Sequence, residues 1–218
     1  MRIWRSVLSS ICILGLSLFF AACGTNSPVQ TGSGRSLEKN DGYSEEADTI
    51  GQAGNGPKIL VAYFSCTGNT KMIAEYTAEI LQADLYEIIP EIAYTDDDLN
   101  YSNDKSRSSI EQNDISARPV ISGSVENMGD YDIVFLGYPI WWGEAPKIMN
   151  TFLESYSFEG KTIIPFCTSG SSGIGSSAEN LHAVVSDEAE WLSGTRFSGN
   201  TSKENVAEWI QSIDIDIK

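Results

Sequence analysis

Apolar positions fall along this chain in two rhythms. Short, largely apolar runs occupy 59–64, 84–89, 131–137 and 161–168, ending at Ser65, Pro90, Gly137 and Ser169. Between them apolar residues recur every three or four positions: Ile73, Tyr76, Ile80 and Leu81 within 69–82, Ile148, Phe152 and Leu153 within 147–156, and Val206, Trp209, Ile210 and Ile213 within 201–213. The first rhythm predicts strands, those at 59–64, 131–137 and 161–168 buried and that at 84–89 a second strand, and the second rhythm predicts amphipathic helices. A further helix is expected over 178–185 and a last short strand over 190–192. Strands alternating with helices predict an α/β domain with a doubly wound, five-stranded parallel sheet, a three-layer sandwich. In such sheets ligands bind beyond the carboxyl ends of the strands, where strand order reverses. That rule selects the loops 65–70, 137–146 and 168–175.

Four stretches fall outside the alternation. Residues 90–119 form a long, irregular, polar insertion after the second strand, which Pro90 stops; insertions of that length in compact domains are often functional. Its Asp96-x-Asp98-x-Asn100 start resembles a calcium loop, but Tyr101 stands where glycine is needed and Arg107 where the bidentate Glu belongs. A solvated turn is therefore expected. Residues 120–130 read as a short polar helix or a loop. At the other end, 1–23 carries a basic start (Arg2, Arg5), an apolar run too short to span a bilayer and a small-residue close, Ala21-Ala22-Cys23. This is the pattern of a signal peptide. It resembles a bacterial lipobox, with Phe20 where Leu is usual, so Cys23 is the expected lipidation site. Gly, Ser, Asn and Thr then dominate 24–57, a flexible tether that leaves 58–218 as the folded domain.

Charge narrows the partners. The formal net charge is −16. From 57 onward 10 Lys/Arg face 25 Asp/Glu, so the excess lies in the folded part. Nucleic acid is not an expected partner of such a surface. Solubility explains the charge simply; steering toward a basic redox partner is the functional alternative. With one histidine, His182, a His-rich metal site or a Ser-His-Asp triad is not expected, and no paired-cysteine metal spacing occurs. Cys66 and Cys167 read as small buried residues. An extracytoplasmic location leaves a disulfide between them open, since spacing alone cannot supply the geometry.

The three selected loops each carry unusual chemistry. Ser65-Cys66-Thr67-Gly68-Asn69-Thr70 supplies hydroxyls, an amide and a glycine in front of a helix N-terminus, a phosphate cradle without a lysine. It matches neither G-x-x-x-x-G-K-[ST] nor G-x-G-x-x-G. A cation-free cradle suits a monophosphate that stays bound. The plain alternative is an ordinary strand-to-helix turn. In the second loop, Trp141 and Trp142 follow Tyr138-Pro139-Ile140. Exposed indoles are costly unless something covers them, and a flat aromatic ligand does so. One of the two is expected to pack onto the body of the domain, and at least one to face a ligand. The third loop, Thr168-Ser169-Gly170-Ser171-Ser172-Gly173, is rich in backbone N–H groups suited to a polar ring edge.

Ser-x-Thr-Gly-Asn-Thr after a first strand resembles the FMN phosphate loop of the flavodoxin family. The Gly-Tyr-Pro-Ile-Trp-Trp and Thr-Ser-Gly-Ser-x-Gly segments look like the second and third flavin-contacting loops of a flavodoxin-like subgroup. The resemblance covers roughly 58–218. It implies strand order 2-1-3-4-5 and FMN as cofactor. It places Ser65, Thr67, Gly68, Asn69 and Thr70 at the phosphate, Pro139, Trp141 and Trp142 along the isoalloxazine, and Thr168, Ser169, Gly170 and Gly173 at its polar edge and ribityl chain. The long insertion and the leader both depart from a small cytoplasmic flavodoxin. The expected function is electron transfer by a lipid-anchored protein outside the cytoplasm, with no side chain acting as acid, base or nucleophile. Its partner is then an unidentified redox protein or a small electron donor or acceptor. An FMN-dependent NAD(P)H or quinone reductase is the enzymatic alternative, and a non-redox binding module on the same fold a third.

Overall fold

The computed structural model describes residues 56–185 and 188–215. The expected leader, Cys23 and all but the end of the tether lie outside the described residues. The main sheet contains β1 (Ile59–Tyr63), β2 (Asp84–Glu87), β5 (Ile133–Pro139), β6 (Thr162–Thr168), β7 (Glu190–Trp191) and β8 (Thr195–Phe197). A second, two-stranded sheet pairs β3 (Ile89–Pro90) with β4 (Ile121–Ser122). The helices are α1 (Asn69–Leu81), α2 (Arg107–Asn113), α3 (Lys147–Glu154), α4 (Ser177–His182) and α5 (Lys203–Ser212).

All main-sheet pairings are parallel, in the order β2-β1-β5-β6-β7, with β8 also pairing β6. Taken as five positions, this is the expected doubly wound order. The unbroken apolar runs follow from two-sided burial. Ile59, Val61, Tyr63, Ile133, Phe135, Ile164 and Phe166 face α1 and α5, meeting Ile73, Val206 and Ile210. Leu60, Ala62, Phe64, Val134, Leu136 and Ile163 point the other way, onto Ile148, Phe152 and Leu181 of α3 and α4. Each fully buried Ile, Leu or Phe contributes about 1.5–3 kcal/mol, so both layers are strongly held.

The edge strand corrects the sequence reading. It runs beyond 190–192 but in two pieces, broken at 192–194. Leu192 N–H donates to Ile163 O (3.0 Å) and Ser169 N–H donates to Phe197 O (3.1 Å). These bonds show that residues 163 and 169 turn their backbone groups toward the edge, and by two-residue alternation so does Pro165. Proline has no N–H to offer there. The ladder stops opposite it and resumes at Thr195.

The insertion is also more ordered than its polarity predicts. Pro90 does not simply stop a strand; it sits in β3, antiparallel to β4. Helix α2 starts at Ser106, whose hydroxyl accepts from Ser109 N–H. Residues 96–100 make a turn, with Asp98 Oδ2 accepting from Thr95 N–H (2.9 Å) and Thr95 Oγ1 (2.8 Å). Residues 120–130 hold β4 and a one-turn 3-10 helix at Met128–Asp130.

Candidate cofactor site

The site is built where β1 gives way to α1. Gly68, immediately before the helix, has φ +84°, a conformation glycine adopts without a Cβ penalty. No side chain caps the helix, and its first turn has no acidic residue. The first intrahelical bond is Met72 N–H to Gly68 O (3.0 Å). Among the described residues, the N–H groups of Asn69, Thr70 and Lys71 meet no acceptor. An uncapped first turn with its dipole end exposed favours an anion. Around it, Ser65 Oγ accepts from Gly68 N–H (3.2 Å) and Asn69 Nδ2 donates to Thr67 Oγ1 (3.2 Å). Thr70 Oγ1 lies 2.7 Å from Thr168 Oγ1, and both residues are buried. That pair ties the first loop to the third.

Beside the cradle is a cavity of about 250 Å³. Ser65, Cys66, Thr67 and Thr70 form one side, Pro139 and Trp141 a second. The third side comes from the insertion: Asp96, Leu99 and Tyr101. Trp141 and Glu144 exchange backbone hydrogen bonds (2.9 and 3.0 Å) around Trp142 (φ +50°) and Gly143 (φ +83°). Two left-handed central residues make this the tight turn that glycine at its second position allows. The turn drives the two indoles apart. Trp141 is 2 % exposed, edge-on to Phe64 (5.6 Å) and Tyr94 (5.3 Å). Trp142 is 45 % exposed and lies against Tyr101 at 4.7 Å, outside the cavity lining.

Of the residues singled out by sequence, Ser65, Thr67, Thr70, Pro139 and Trp141 line the cavity. Gly68 and Asn69 shape the cradle next to it, and Thr168 reaches it through Thr70. Ser169, Gly170 and Gly173 do not line it. Their loop is organised by a residue that sequence reasoning passed over, Arg196. Its guanidinium donates to Ser169 O (2.5 Å), Gly170 O (2.7 Å) and Ser169 Oγ (3.1 Å). With those carbonyls drawn to the cation, the loop's shape depends on β8. Arg196→Met is expected to lower stability by about 1.5–3 kcal/mol and to speed proteolysis within 169–175. An unchanged cleavage rate would contradict the assignment. Tyr101 and Leu99 were missed too. The signal that could have found them is the one that flagged the tryptophans, large apolar groups in a polar loop.

Cys66 and Cys167 are free thiols, so the disulfide left open by the sequence is not formed; Cys167 is buried as expected, whereas Cys66, in the loop before α1, is exposed. Burial pushes the Cys167 thiol up to about 12, with Arg196 pulling weakly the other way. A thiol held there stays protonated at neutral pH.

The residues present fit FMN: an uncapped helix end with hydroxyls for a phosphate, and a slot between aromatic and proline side chains for a flat ring. The comparisons agree on the fold. A putatively named flavoprotein from Bacteroides eggerthii is 46% identical, covering 73% of this chain and 99% of its own, with TM-score 0.69. A second such protein, from Bacteroides uniformis, is 42% identical over 72% of this chain and 99% of its own, also at 0.69. A flavoprotein from Lactobacillus acidophilus, solved in complex with FMN, shares the fold at 23% identity and TM-score 0.52, covering 71% of this chain and 99% of its own. No curated protein matches the sequence. The sequence profile described as Flavodoxin matches residues 58–213, and with the parallel sheet and the cradle after β1 it establishes that this chain belongs to the flavodoxin family.

Proposed function

We propose that this protein binds FMN and carries electrons from a position outside the cytoplasm, anchored by lipid on Cys23. The observation that carries the reading is the uncapped, acid-free start of α1 opening beside a cavity walled by Trp141, Pro139 and Tyr101. Bound FMN supplies the redox chemistry; the protein supplies binding, orientation and electrostatics. Backbone N–H groups of 69–71 and the hydroxyls of Ser65 and Thr67 hold the phosphate. Trp141 and Pro139 lie along the ring, Tyr101 covers it from the insertion, and Thr168 supports the cradle from behind through Thr70. Asp96 at the rim and the dry aromatic wall disfavour added negative charge on the ring, which lowers the potential. The acidic surface, −16 overall, favours a redox partner with a basic face.

Titrating FMN into the purified chain tests the reading. Flavin absorption bands with one-to-one quenching of FMN fluorescence are expected. A colourless protein that leaves FMN fluorescence unquenched would overturn it. Rapid-mixing reduction by NADH or NADPH separates carrier from reductase: slow reduction is expected, and fast hydride transfer supports the enzyme. Fatty-acid labelling tests the anchor, since label should vanish in Cys23→Ser; label that persists rejects Cys23.

A further inference from the structure

Helix α2 reaches the tryptophan turn through the side-chain amide of Gln112. Gln112 Nε2 donates to Trp141 O (2.9 Å) and to Ala145 O (3.3 Å), so one side chain bridges both ends of the turn. Within the turn, Glu144 accepts from Asn180 Nδ2 (2.8 Å) and Ser176 Oγ (3.2 Å). A non-glycine residue in the left-handed region, here Trp142, costs roughly 1–2 kcal/mol. The turn is therefore held by partners outside it rather than by its own preference. The same helix also steadies the ring that packs on Trp141. Glu111 accepts from Tyr94 Oη (2.5 Å) and Arg107 Nε (2.7 Å), and the Arg107 guanidinium sits 4.0 Å over the Tyr94 ring.

Gln112 does not itself line the cavity. Trp141 does, and its two supports from α2 are its carbonyl, through Gln112, and its ring edge, through Tyr94. We infer that Gln112 is a positioning residue: it sets the tilt of the Trp141 indole against the cofactor, and so makes the insertion a determinant of flavin affinity and redox potential. This rests on the FMN reading above and deepens it. Replacing Gln112 by methionine keeps length and volume but removes both donors, leaving the Trp141 and Ala145 carbonyls without them.

The test uses the full chain with FMN. For Gln112→Met, FMN affinity is expected to fall about tenfold. The visible circular dichroism of the bound flavin and its midpoint potential should change as well, which a loss of stability alone would not cause. Without FMN, the Trp141 indole N–H resonance should shift and broaden. Gln112→Asn keeps the amide but withdraws it by one carbon, and should act in the same direction if the methionine variant folds poorly. In a Trp141→Leu background, Gln112→Met should add little to the loss of affinity, because both act through one ring. A wild-type protein that takes up no FMN overturns both this inference and the functional reading. A wild type that binds FMN, with Gln112→Met unchanged in flavin spectrum, potential and indole resonance, overturns this inference alone, as does a fully additive double mutant.

Discussion

Gly137→Ala is expected to lower the free energy of unfolding by about 3 kcal/mol, the upper part of the range for overpacking a closed core. Gly137 sits in β5, paired with Tyr63 of β1 and Phe166 of β6. A Cβ there would stand 2.3 Å from Cζ and 2.6 Å from Cε2 of the Phe166 ring. The ring cannot step aside, because Phe166 is fully buried between Phe197 (6.3 Å) and Trp209 (6.0 Å). Either β5 shifts or that cluster repacks. Urea unfolding measures the loss directly. The melting temperature should fall by roughly 10 °C, given about 2–4 °C per kcal/mol for a domain of this size. The effect reaches the site as well, since Gly137 O accepts from Phe64 N–H (2.9 Å) and β5 leads into the tryptophan turn. Adding Phe166→Leu should recover part of the loss by making room. A single mutant as stable as wild type would show that this close approach does not exist.

Trp141→Ala should cost about 3–5 kcal/mol in stability and weaken FMN binding by more than Gln112→Met does. The indole is almost wholly buried against Phe64 and Tyr94, so its removal leaves a hole under the turn. It also removes the aromatic wall of the cavity. The neighbouring residue provides the control. Trp142 is half exposed and rests on Tyr101 alone among the aromatic rings of the described residues. Trp142→Ala should therefore cost about 1 kcal/mol or less, and relieve the left-handed strain at that position only in part. Denaturant unfolding and FMN titration on both variants give four values, and the ordering must hold in both assays. Equal effects from the two substitutions would mean that burial of Trp141 has no part in either property.

Several features were legible residue by residue. The run 59–64 reads as a doubly buried strand because its alternate residues face two different helix layers, which leaves no polar position. Gly68 was legible as a residue that frees the backbone before a helix, and it stands there at φ +84°. One of the two tryptophans was expected against the body of the domain, and Trp141 is that one. Other features were not legible. The break in the edge strand depends on which way Pro165 faces. Helix α2, Arg-Ser-Ser-Ile-Glu-Gln-Asn, has no apolar face of its own. It is held by Ser108 Oγ donating to Asp98 O (2.5 Å) and by Gln112 reaching the turn.

The sequence by itself determined the alternation of strands and helices, the doubly wound sheet and the glycine-bearing loop between β1 and α1. All three follow from neighbours along the chain: burial pattern, turn residues and helix ends. Tertiary structure alone decided which side chains close the cavity and what holds them. Thr70 meets Thr168 across 98 positions, Gln112 meets Trp141 across 29, and Arg196 meets Ser169 across 27. Such bonds join segments that share no local period, so their geometry exists only once the sheet has brought the strand ends together.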